Sequence, residues 1–146
     1  MEVYLAGPLF TPYQRDFLDR CAAVLRADGF DVFVPHEHGL ADDDTTPEAI
    51  FEKDLAGLAG ADAVVAVLDG LLIDDGTACE IGLFHGLLLG DASKKGTVGL
   101  LTDLRSTARG NRLNLFVLGC VQRTGGVHET IDDVLAVLSR WREERR

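Results

Sequence analysis

The chain has 146 residues, of which 47% are hydrophobic, and a formal net charge of −10. This length and composition predict one globular domain with its own core, and the apolar stretches are too short to span a membrane. The net negative charge argues against a nucleic-acid polymer as partner, because such binding requires a basic surface that releases counterions.

The three cysteines, Cys21, Cys79 and Cys120, lie far apart in the chain and form no CxxC pair. This spacing argues against a disulfide framework and against a zinc site. No basic segment followed by an apolar segment opens the chain, so a secretory leader is not predicted. We therefore expect free thiols and a cytoplasmic protein.

The first part of the chain has a β-α-β pattern. Residues 3–6 are a short apolar run that ends at Gly7-Pro8, a turn signal. A helix is predicted from Pro12 to Asp28-Gly29, with apolar residues along one face. Residues 30–35 then predict the second strand.

A polar segment, residues 36–46, contains His36, His38 and three consecutive aspartates. The two histidines could ligate a metal, but the pattern supplies no third ligand, so a solvated loop is favoured and no metal site is predicted. A helix is predicted next over residues 47–58, with Thr45 and Glu48 forming a capping box at its start. The apolar residues expected to be buried on this helix are Ile50, Phe51, Leu55 and Leu58.

Residues 63–68 form an uninterrupted apolar run, which is typical of a parallel strand buried on both faces. The segment that follows, residues 69–82, is rich in acids and glycines. Its acids are Asp69, Asp74, Asp75 and Glu80. A helical pattern over residues 77–89 places Glu80 in the first turn of a helix after a strand, where α/β proteins bind their ligands.

A purely structural role is also open for these acids. Thr77 and Glu80 have the spacing of a capping box, and Asp74 and Asp75 could be turn residues that favour the helix dipole. Several carboxylates near one strand end repel each other, however, unless a function retains them. The concentration of acids therefore favours an active-site loop.

The last third of the chain predicts a strand over residues 97–101, a basic loop over 103–112, a fifth strand over 114–121 and a helix over 130–142. Alternation of strands and helices predicts a doubly wound, five-stranded parallel sheet of the Rossmann or flavodoxin type, as a single α/β domain over residues 1–146. Neither a GxGxxG motif nor a Walker loop is present, so no dinucleotide or other cofactor is predicted.

Several motifs together resemble the nucleoside 2-deoxyribosyltransferase family. They are YLAGPLF at residues 4–10, KDL at 53–55 followed by Ala61-Asp62, DDGTACEIG at 74–82, and Asn114-Leu115. The motifs occur in the family's order and span most of the chain. The resemblance implies a Rossmann-like enzyme that cleaves the N-glycosidic bond of 2′-deoxynucleosides, usually as an oligomer whose subunits complete each other's sites.

The resemblance also implies roles for individual residues. Glu80 matches the nucleophile that attacks the anomeric carbon, and Tyr4 matches the tyrosine that orients it. Asp54 and Asp69 fall where the family has acids near the base, so one of them is expected to protonate the leaving base. The residues expected to bind substrate are Gly7, Phe10, Asp74, Gly76 and Asn114, the last of them from a neighbouring subunit.

The predicted reaction transfers 2-deoxyribose between nucleobases through a covalent glycosyl-glutamate. Glu80 would be kept ionised by the helix dipole. A wall of apolar residues beside the acids would exclude water from the intermediate. That wall is predicted to consist of Leu5, Leu9, Phe10, Leu71 and Leu72.

Two alternatives stay open. The first is a hydrolase of nucleosides or nucleoside 5′-monophosphates. The basic loop could then bind the phosphate, through Arg105, Ser106, Arg109 and Arg112. A surface loop without this role is the favoured interpretation of that segment. The second is a non-catalytic nucleotide-binding module. The expected partners are a small nucleoside or nucleotide and a nucleobase. A homo-oligomer is also expected, with Trp141 and apolar residues of the helix after Glu80 at the interface.

Overall fold

A five-stranded parallel sheet is the centre of the computed structural model, which describes residues 1–39, 45–103 and 113–144. The strands are β1 (Glu2–Ala6), β2 (Asp31–Phe33), β3 (Ala63–Val67), β4 (Gly96–Leu100) and β5 (Val127–His128). Their spatial order is β2-β1-β3-β4-β5, and every neighbouring pair is parallel. The predicted doubly wound α/β domain of the flavodoxin type is therefore confirmed.

Helices cover both faces of the sheet. They are α1 (Pro12–Ala27), α2 (Pro47–Gly60), α3 (Asp75–Gly90), α4 (Leu115–Gln122) and α5 (Ile131–Glu143). The apolar core between α1, α5 and one face of the sheet includes Leu18, Leu25 and Leu138, and the core on the opposite face includes Leu58, Ile81 and Phe84. Within the described ranges, no helix is long and apolar enough to cross a membrane.

Alternation along β1 sends its side chains to both cores. Val3 and Leu5 belong to the core beneath α1, whereas Tyr4 and Ala6 face α2 and α3. This follows from the two-residue period of a strand, which points successive side chains to opposite faces. Tyr4 is thereby directed toward the helix that carries Glu80.

The prediction of a strand over residues 114–121 is wrong, because this segment forms helix α4. The Asn114 side chain caps the helix by accepting hydrogen bonds from the amides of Phe116 (2.9 Å) and Val117 (3.4 Å), while Leu118 and Val121 fill the core one turn apart. A short apolar run does not distinguish a strand from a buried helix. The fifth strand is instead the two-residue β5, which pairs with Gly99 and Leu100.

Helix α3 begins two residues earlier than the sequence pattern predicts. Its N-cap is Asp74, whose Oδ2 accepts hydrogen bonds from the Thr77 amide (2.9 Å) and hydroxyl (3.1 Å). The predicted capping box between Thr77 and Glu80 is therefore wrong, because Thr77 lies inside the helix. Glu80 is the sixth residue of α3, in its second turn rather than its first.

Two details of the first half also differ from expectation. Pro35–His38 form a short 3-10 helix, where the end of the second strand and the start of a loop are predicted. The N-cap of α2 is Thr46 rather than Thr45, and its hydroxyl accepts a hydrogen bond from the Ala49 amide. Phe51, expected in the core, is 51% exposed. The aspartate run at residues 42–44 lies outside the described residues.

Candidate active site

A cavity of about 520 Å³ opens at the carboxyl edge of the sheet, beside the point where the strand order reverses between β1 and β3. Ligands of open α/β sheets bind at this position, because the loops on either side of the reversal separate there. The cavity is lined by Gly7, Leu9, Phe10, Arg15, Pro35, His36, Gly39, Thr45, Ile50, Lys53, Asp54, Asp74, Gly76, Thr77 and Glu80. Three of the four acids expected to act in the site, Asp54, Asp74 and Glu80, thus line one cavity.

Tyr4 and Glu80 are joined by a short hydrogen bond. The Tyr4 hydroxyl lies 2.5 Å from Oε1 of Glu80, although 76 residues separate the two in the chain. Burial and the neighbouring Glu80 charge raise the pKa of Tyr4 well above its usual range, so the phenol stays protonated and donates to the carboxylate. Tyr4 itself is fully buried in the central strand. The strand therefore fixes the orientation of the Glu80 carboxylate.

The environment of Glu80 favours its neutral form. Burial raises its pKa most, and the nearby carboxylates of Asp54 and Asp74 add to this, while the Tyr4 hydrogen bond and the Lys53 charge lower it, so that the pKa is about 7. We expected the helix dipole to keep Glu80 ionised, but its position in the second turn and its burial outweigh that effect. A neutral Glu80 is therefore more readily populated than an ordinary glutamic acid would be.

Asp54 lies on α2 across the cavity from α3. Its Oδ1 is buried, lies 3.2 Å from Nζ of Lys53, and accepts no hydrogen bond from the residues that the structure describes. The ammonium of Lys53 instead donates to the carbonyl of Pro35 at 2.9 Å. The charge of Lys53 therefore holds the Asp54 carboxyl, whose own charge acts on Glu80.

Asp74 and Gly76 form the rim of the cavity at the start of α3. Oδ2 of Asp74 is occupied by the cap to Thr77, and no hydrogen bond to Oδ1 is found among the described residues. A Cβ on Gly76 would lie 3.2 Å from Oδ2 of Asp74. The glycine thus keeps the space beside this carboxylate open.

Gly7 and Phe10 line the cavity on the side of β1. A Cβ on Gly7 would approach Cδ2 of Leu18 to 2.7 Å, so a larger residue here would displace the Leu18 side chain of α1. Phe10 is 72% exposed and lies at the cavity mouth. Gly7 and Phe10, which are predicted to bind substrate, therefore line the same cavity as Glu80.

Two predicted site residues lie elsewhere. Asp69 accepts hydrogen bonds from the Thr102 amide (2.7 Å), the Thr102 hydroxyl (2.7 Å) and the Asp103 amide (2.8 Å), which ties the end of β3 to the end of β4. It lines a separate cavity of about 340 Å³ on the α1 side. Asn114 is exposed at the start of α4 and does not line the Glu80 cavity of its own chain.

The apolar wall differs from the one expected. Leu9 and Phe10 line the cavity, but Leu5 faces the opposite core and Leu71 and Leu72 are 79% and 78% exposed. Alternation along β1 accounts for Leu5, which points away from α3. The apolar wall of the Glu80 cavity is formed by Leu9, Phe10, Pro35 and Ile50.

Reasoning from sequence missed three basic side chains of the cavity, namely Arg15, His36 and Lys53. The sequence predicts a solvated loop at His36, yet this residue lies three positions after the end of β2, and the carboxyl ends of parallel strands meet at one edge. That placement is the signal that could have identified it. The candidate phosphate-binding residues of the basic loop, Arg105, Ser106, Arg109 and Arg112, lie outside the described residues.

Comparisons with known proteins agree with this architecture. The family model for nucleoside 2-deoxyribosyltransferase matches residues 3–127. The fold is similar to that of a conserved protein from Enterococcus faecalis V583, with 25% identity, a TM-score of 0.80, and coverage of 96% of this chain and 98% of that one. No curated protein sequence gives a significant match.

Two further solved structures are similar. A 2-deoxyribosyltransferase from Bacillus psychrosaccharolyticus is 27% identical, with a TM-score of 0.70 and coverage of 92% of this chain and 90% of that one. A CMP N-glycosidase from Clostridium botulinum shares the fold at 16% identity and a TM-score of 0.54, over 97% of this chain and 99% of that one. The family match covers most of the chain, and the motif residues Asp54, Asp74 and Glu80 line one cavity. This protein therefore belongs to the nucleoside 2-deoxyribosyltransferase family, as an enzyme of the nucleoside deoxyribosyltransferase or N-glycosidase kind.

Proposed function

We propose that the protein transfers 2-deoxyribose from one nucleobase to another, with Glu80 as the nucleophile. The observation that carries the proposal is the pair of carboxyls, Glu80 and Asp54, that line one cavity at the strand-order reversal, with Glu80 bound by the buried Tyr4 hydroxyl. A buried carboxylate whose orientation is fixed by a tyrosine is suited to attack one defined carbon. The family match supports the substrate class.

In the first half-reaction, an ionised oxygen of Glu80 bonds to the anomeric carbon while the bond from that carbon to the base nitrogen breaks. Its electron pair leaves with the base, which takes a proton from Asp54. Positive charge develops on the sugar ring during this step. Burial deprives the ionised Glu80 carboxylate of hydration by water. The positive charge that develops on the sugar therefore stabilises this carboxylate more strongly than it would in water.

Asp54 is assigned as the acid because it lines the same cavity as Glu80, from helix α2. The reaction requires a proton on Asp54 when Glu80 attacks. Asp74 and Gly76, at the rim beside Glu80, are assigned to the sugar hydroxyls.

In the second half-reaction, a nitrogen of the acceptor base bonds to the anomeric carbon and displaces the Glu80 carboxylate, and the proton of the incoming nitrogen passes to Asp54. Two displacements at one carbon restore its configuration. The covalent intermediate survives until a base arrives only where water is kept out. The apolar wall of Leu9, Phe10, Pro35 and Ile50 supports transfer in preference to hydrolysis.

The experiment that tests this function supplies one deoxynucleoside with increasing amounts of a second base. We expect a new deoxynucleoside, with the same configuration at the anomeric carbon, to form at the expense of free 2-deoxyribose as the second base is increased. Chromatography of bases, nucleosides and sugar measures both products. Free sugar alone at every base concentration would contradict transfer and identify a hydrolase.

We also propose that the protein is a homo-oligomer in which a second copy covers α3 and α4. Leu115 and Phe116, next to Asn114, are 79% and 82% exposed, and a Cβ on Gly82 or Gly86 of α3 would meet nothing within 4 Å. These features allow another chain to approach closely. Trp141 is expected at an interface, but its side chain is buried in the core beneath α1 and is not part of the proposed contact.

Sedimentation velocity tests the assembly. We expect a particle of at least twice the 15.8 kDa chain mass, and its dissociation on replacement of both Leu115 and Phe116 by serine, because the buried apolar area at the contact would be lost. The same double change is expected to lower activity if Asn114 completes a neighbouring site. A wild-type protein that sediments as a fully active monomer at all concentrations would contradict the proposal.

A further inference from the structure

The inference concerns Lys53 and rests on the proposed function. Lys53 precedes Asp54 on α2, and its side chain lines the cavity that contains Glu80. Only 17% of this side chain is exposed. An ammonium removed from water is costly unless charges or hydrogen bonds compensate for the lost hydration. No step of the proposed reaction uses Lys53, so its place in the cavity needs an explanation.

Two contacts hold the ammonium of Lys53 in place. Nζ donates a hydrogen bond to the carbonyl of Pro35 (2.9 Å) and forms an ion pair with Oδ1 of Asp54 (3.2 Å). A neutral N–H donor would satisfy the carbonyl, whereas a carboxylate interacts more strongly with a cation. The contact with Asp54 therefore makes the charge of Lys53, and not only its hydrogen bond, important for the site.

The charge of Lys53 also acts on Glu80. Burial raises the pKa of Glu80, the Tyr4 hydrogen bond lowers it, and the carboxylates of Asp54 and Asp74 raise it. The charge of Lys53 lowers it. One ammonium thus acts on both carboxyls of the proposed reaction, directly on Asp54 and at longer range on Glu80.

The other two basic side chains of the cavity have different partners. Nη1 of Arg15 donates to the carbonyl of Leu9 (2.7 Å), and Nε2 of His36 lies 2.7 Å from Oδ1 of Asp19 on α1. Among the described residues, neither forms an ion pair with a carboxylate that lines the cavity. Lys53 is therefore the cation placed to balance the charge of the two reacting carboxyls.

We propose that Lys53 is a positioning residue whose ammonium stabilises the negative charge that moves between Glu80 and Asp54 during the reaction. In the first half-reaction the ionised Glu80 oxygen becomes part of a neutral ester, while Asp54 gives its proton to the base and becomes ionised. One negative charge thus leaves Glu80 and one appears on Asp54, beside Nζ of Lys53. A fixed cation at the position where charge develops lowers the barrier of the reaction.

The same ion pair serves the second half-reaction. In the covalent intermediate, Asp54 has to stay ionised until it takes the proton of the incoming base nitrogen. The contact with Lys53 stabilises Asp54 in that form. The negative charge then returns to Glu80 as the ester bond breaks, and Lys53 keeps its own protons throughout.

The test uses three replacements of Lys53. Lys53→Met removes the charge, Lys53→Gln removes the charge but keeps an N–H donor for the Pro35 carbonyl, and Lys53→Arg keeps the charge. The substrates are a deoxynucleoside and a 2-deoxyriboside of a nitrophenol, whose leaving group needs no proton from Asp54. Each rate is measured at a pH at which Glu80 is ionised in the variant.

We expect Lys53→Met and Lys53→Gln to cleave the deoxynucleoside at least about tenfold more slowly than wild type, the size expected for one interaction with a charged group. Their loss with the nitrophenol substrate should be much smaller, because no charge then develops on Asp54. Lys53→Arg should restore most of the rate with the deoxynucleoside.

The pH dependence supplies a second readout. With the nitrophenol substrate, the acid limb of kcat/KM reports the ionisation of Glu80 in the free enzyme. Lys53 favours the ionised carboxylate, so its loss should move this limb to higher pH in Lys53→Met and Lys53→Gln. Lys53→Arg should keep the limb near its wild-type position.

The matched control is Lys94→Met. Nζ of Lys94 donates to the carbonyls of Ala59 and Ala61 at the C-terminal end of α2, and Lys94 does not line the cavity. Its replacement removes a lysine that tethers the same helix, without removing a charge from the site. The acid limb and the ratio of the two rates should therefore stay as in wild type.

An acid limb that stays in place in both neutral variants, or an equal loss of rate for both substrates, would overturn the proposal. Lys53→Arg that behaves like Lys53→Met would overturn it as well. If neither substrate is cleaved by wild type, the proposed function fails. The titration of Glu80, followed by NMR of carboxyl-labelled glutamate and assigned with Glu80→Gln, then decides separately. A higher midpoint in Lys53→Met supports the action of Lys53 on Glu80, and an unchanged midpoint overturns it.

Discussion

Replacement of Glu80 by glutamine is expected to abolish turnover while making the folded protein more stable at neutral and alkaline pH. Glutamine keeps the shape of the side chain and can accept the Tyr4 hydrogen bond, but it cannot form the bond to the anomeric carbon. Loss of a nucleophile costs at least about a thousandfold in kcat. Single-turnover base release, followed by chromatography, measures this loss.

The effect on stability has a defined sign. Burial raises the pKa of Glu80 from 4.5 to about 7, so the folded protein binds this proton more tightly than the unfolded chain does. The resulting contribution to stability is fully present below pH 4.5 and is lost as the pH rises through 7, by up to about 3 kcal/mol. Glu80→Gln should thus unfold like wild type at pH 4 and at higher denaturant concentration than wild type at pH 8.

Asp75→Asn is the control for this experiment, because Asp75 lies on the same helix but is exposed and does not line the cavity. It should retain turnover and show no gain in stability at pH 8. A Glu80→Gln variant with wild-type turnover would contradict the nucleophile assignment. Lost turnover together with lost stability at pH 8 would instead indicate a structural role for Glu80.

The second large effect is expected from Asp54→Asn. Removal of a general acid costs about a hundredfold to ten-thousandfold in rate, because the base then leaves without a proton. The loss should be much smaller with a 2-deoxyriboside of a nitrophenol, whose leaving group needs no proton. The ratio of kcat for the two substrates measures the acid role directly, and a structural fault would lower both rates equally.

Asp69→Asn is the paired variant, since the family resemblance left the acid open between Asp54 and Asp69. Asp69 accepts three hydrogen bonds that tie the ends of β3 and β4 together. We expect its replacement to lower the free energy of unfolding by about 1 kcal/mol and to leave the ratio of the two kcat values unchanged. If Asp69→Asn changes that ratio and Asp54→Asn does not, the acid assignment is reversed.

Hydrophobic patterning in the sequence was sufficient to predict the first four strands and the doubly wound topology. It failed at β5, because two residues are too short a run to recognise and the longer apolar run at residues 115–122 is compatible with a strand or a buried helix. The acids of the Glu80 cavity were found through motif resemblance, and their meeting in one cavity follows from the topology.

Other features of the site depend on contacts between distant parts of the chain. The contact between Tyr4 and Glu80 joins residues 76 positions apart, and the bond between His36 and Asp19 joins a segment after β2 to α1. Neither follows from local periodicity. The raised pKa of Glu80 likewise depends on burial by the assembled cavity, which the first-turn argument from sequence did not include.

The walls of the cavity come from different secondary-structure elements. The Glu80 carboxylate lies on α3 and the rim residue Asp74 is its N-cap, whereas Pro35 and His36 follow the edge strand β2. An edge strand pairs on one side alone, so residues after β2 can change without disturbing the pairing of β1 with β3 that fixes Tyr4. Substitutions after β2 can therefore reshape one wall of the cavity while the Tyr4–Glu80 pair, held on the central strand β1 and on α3, keeps its position.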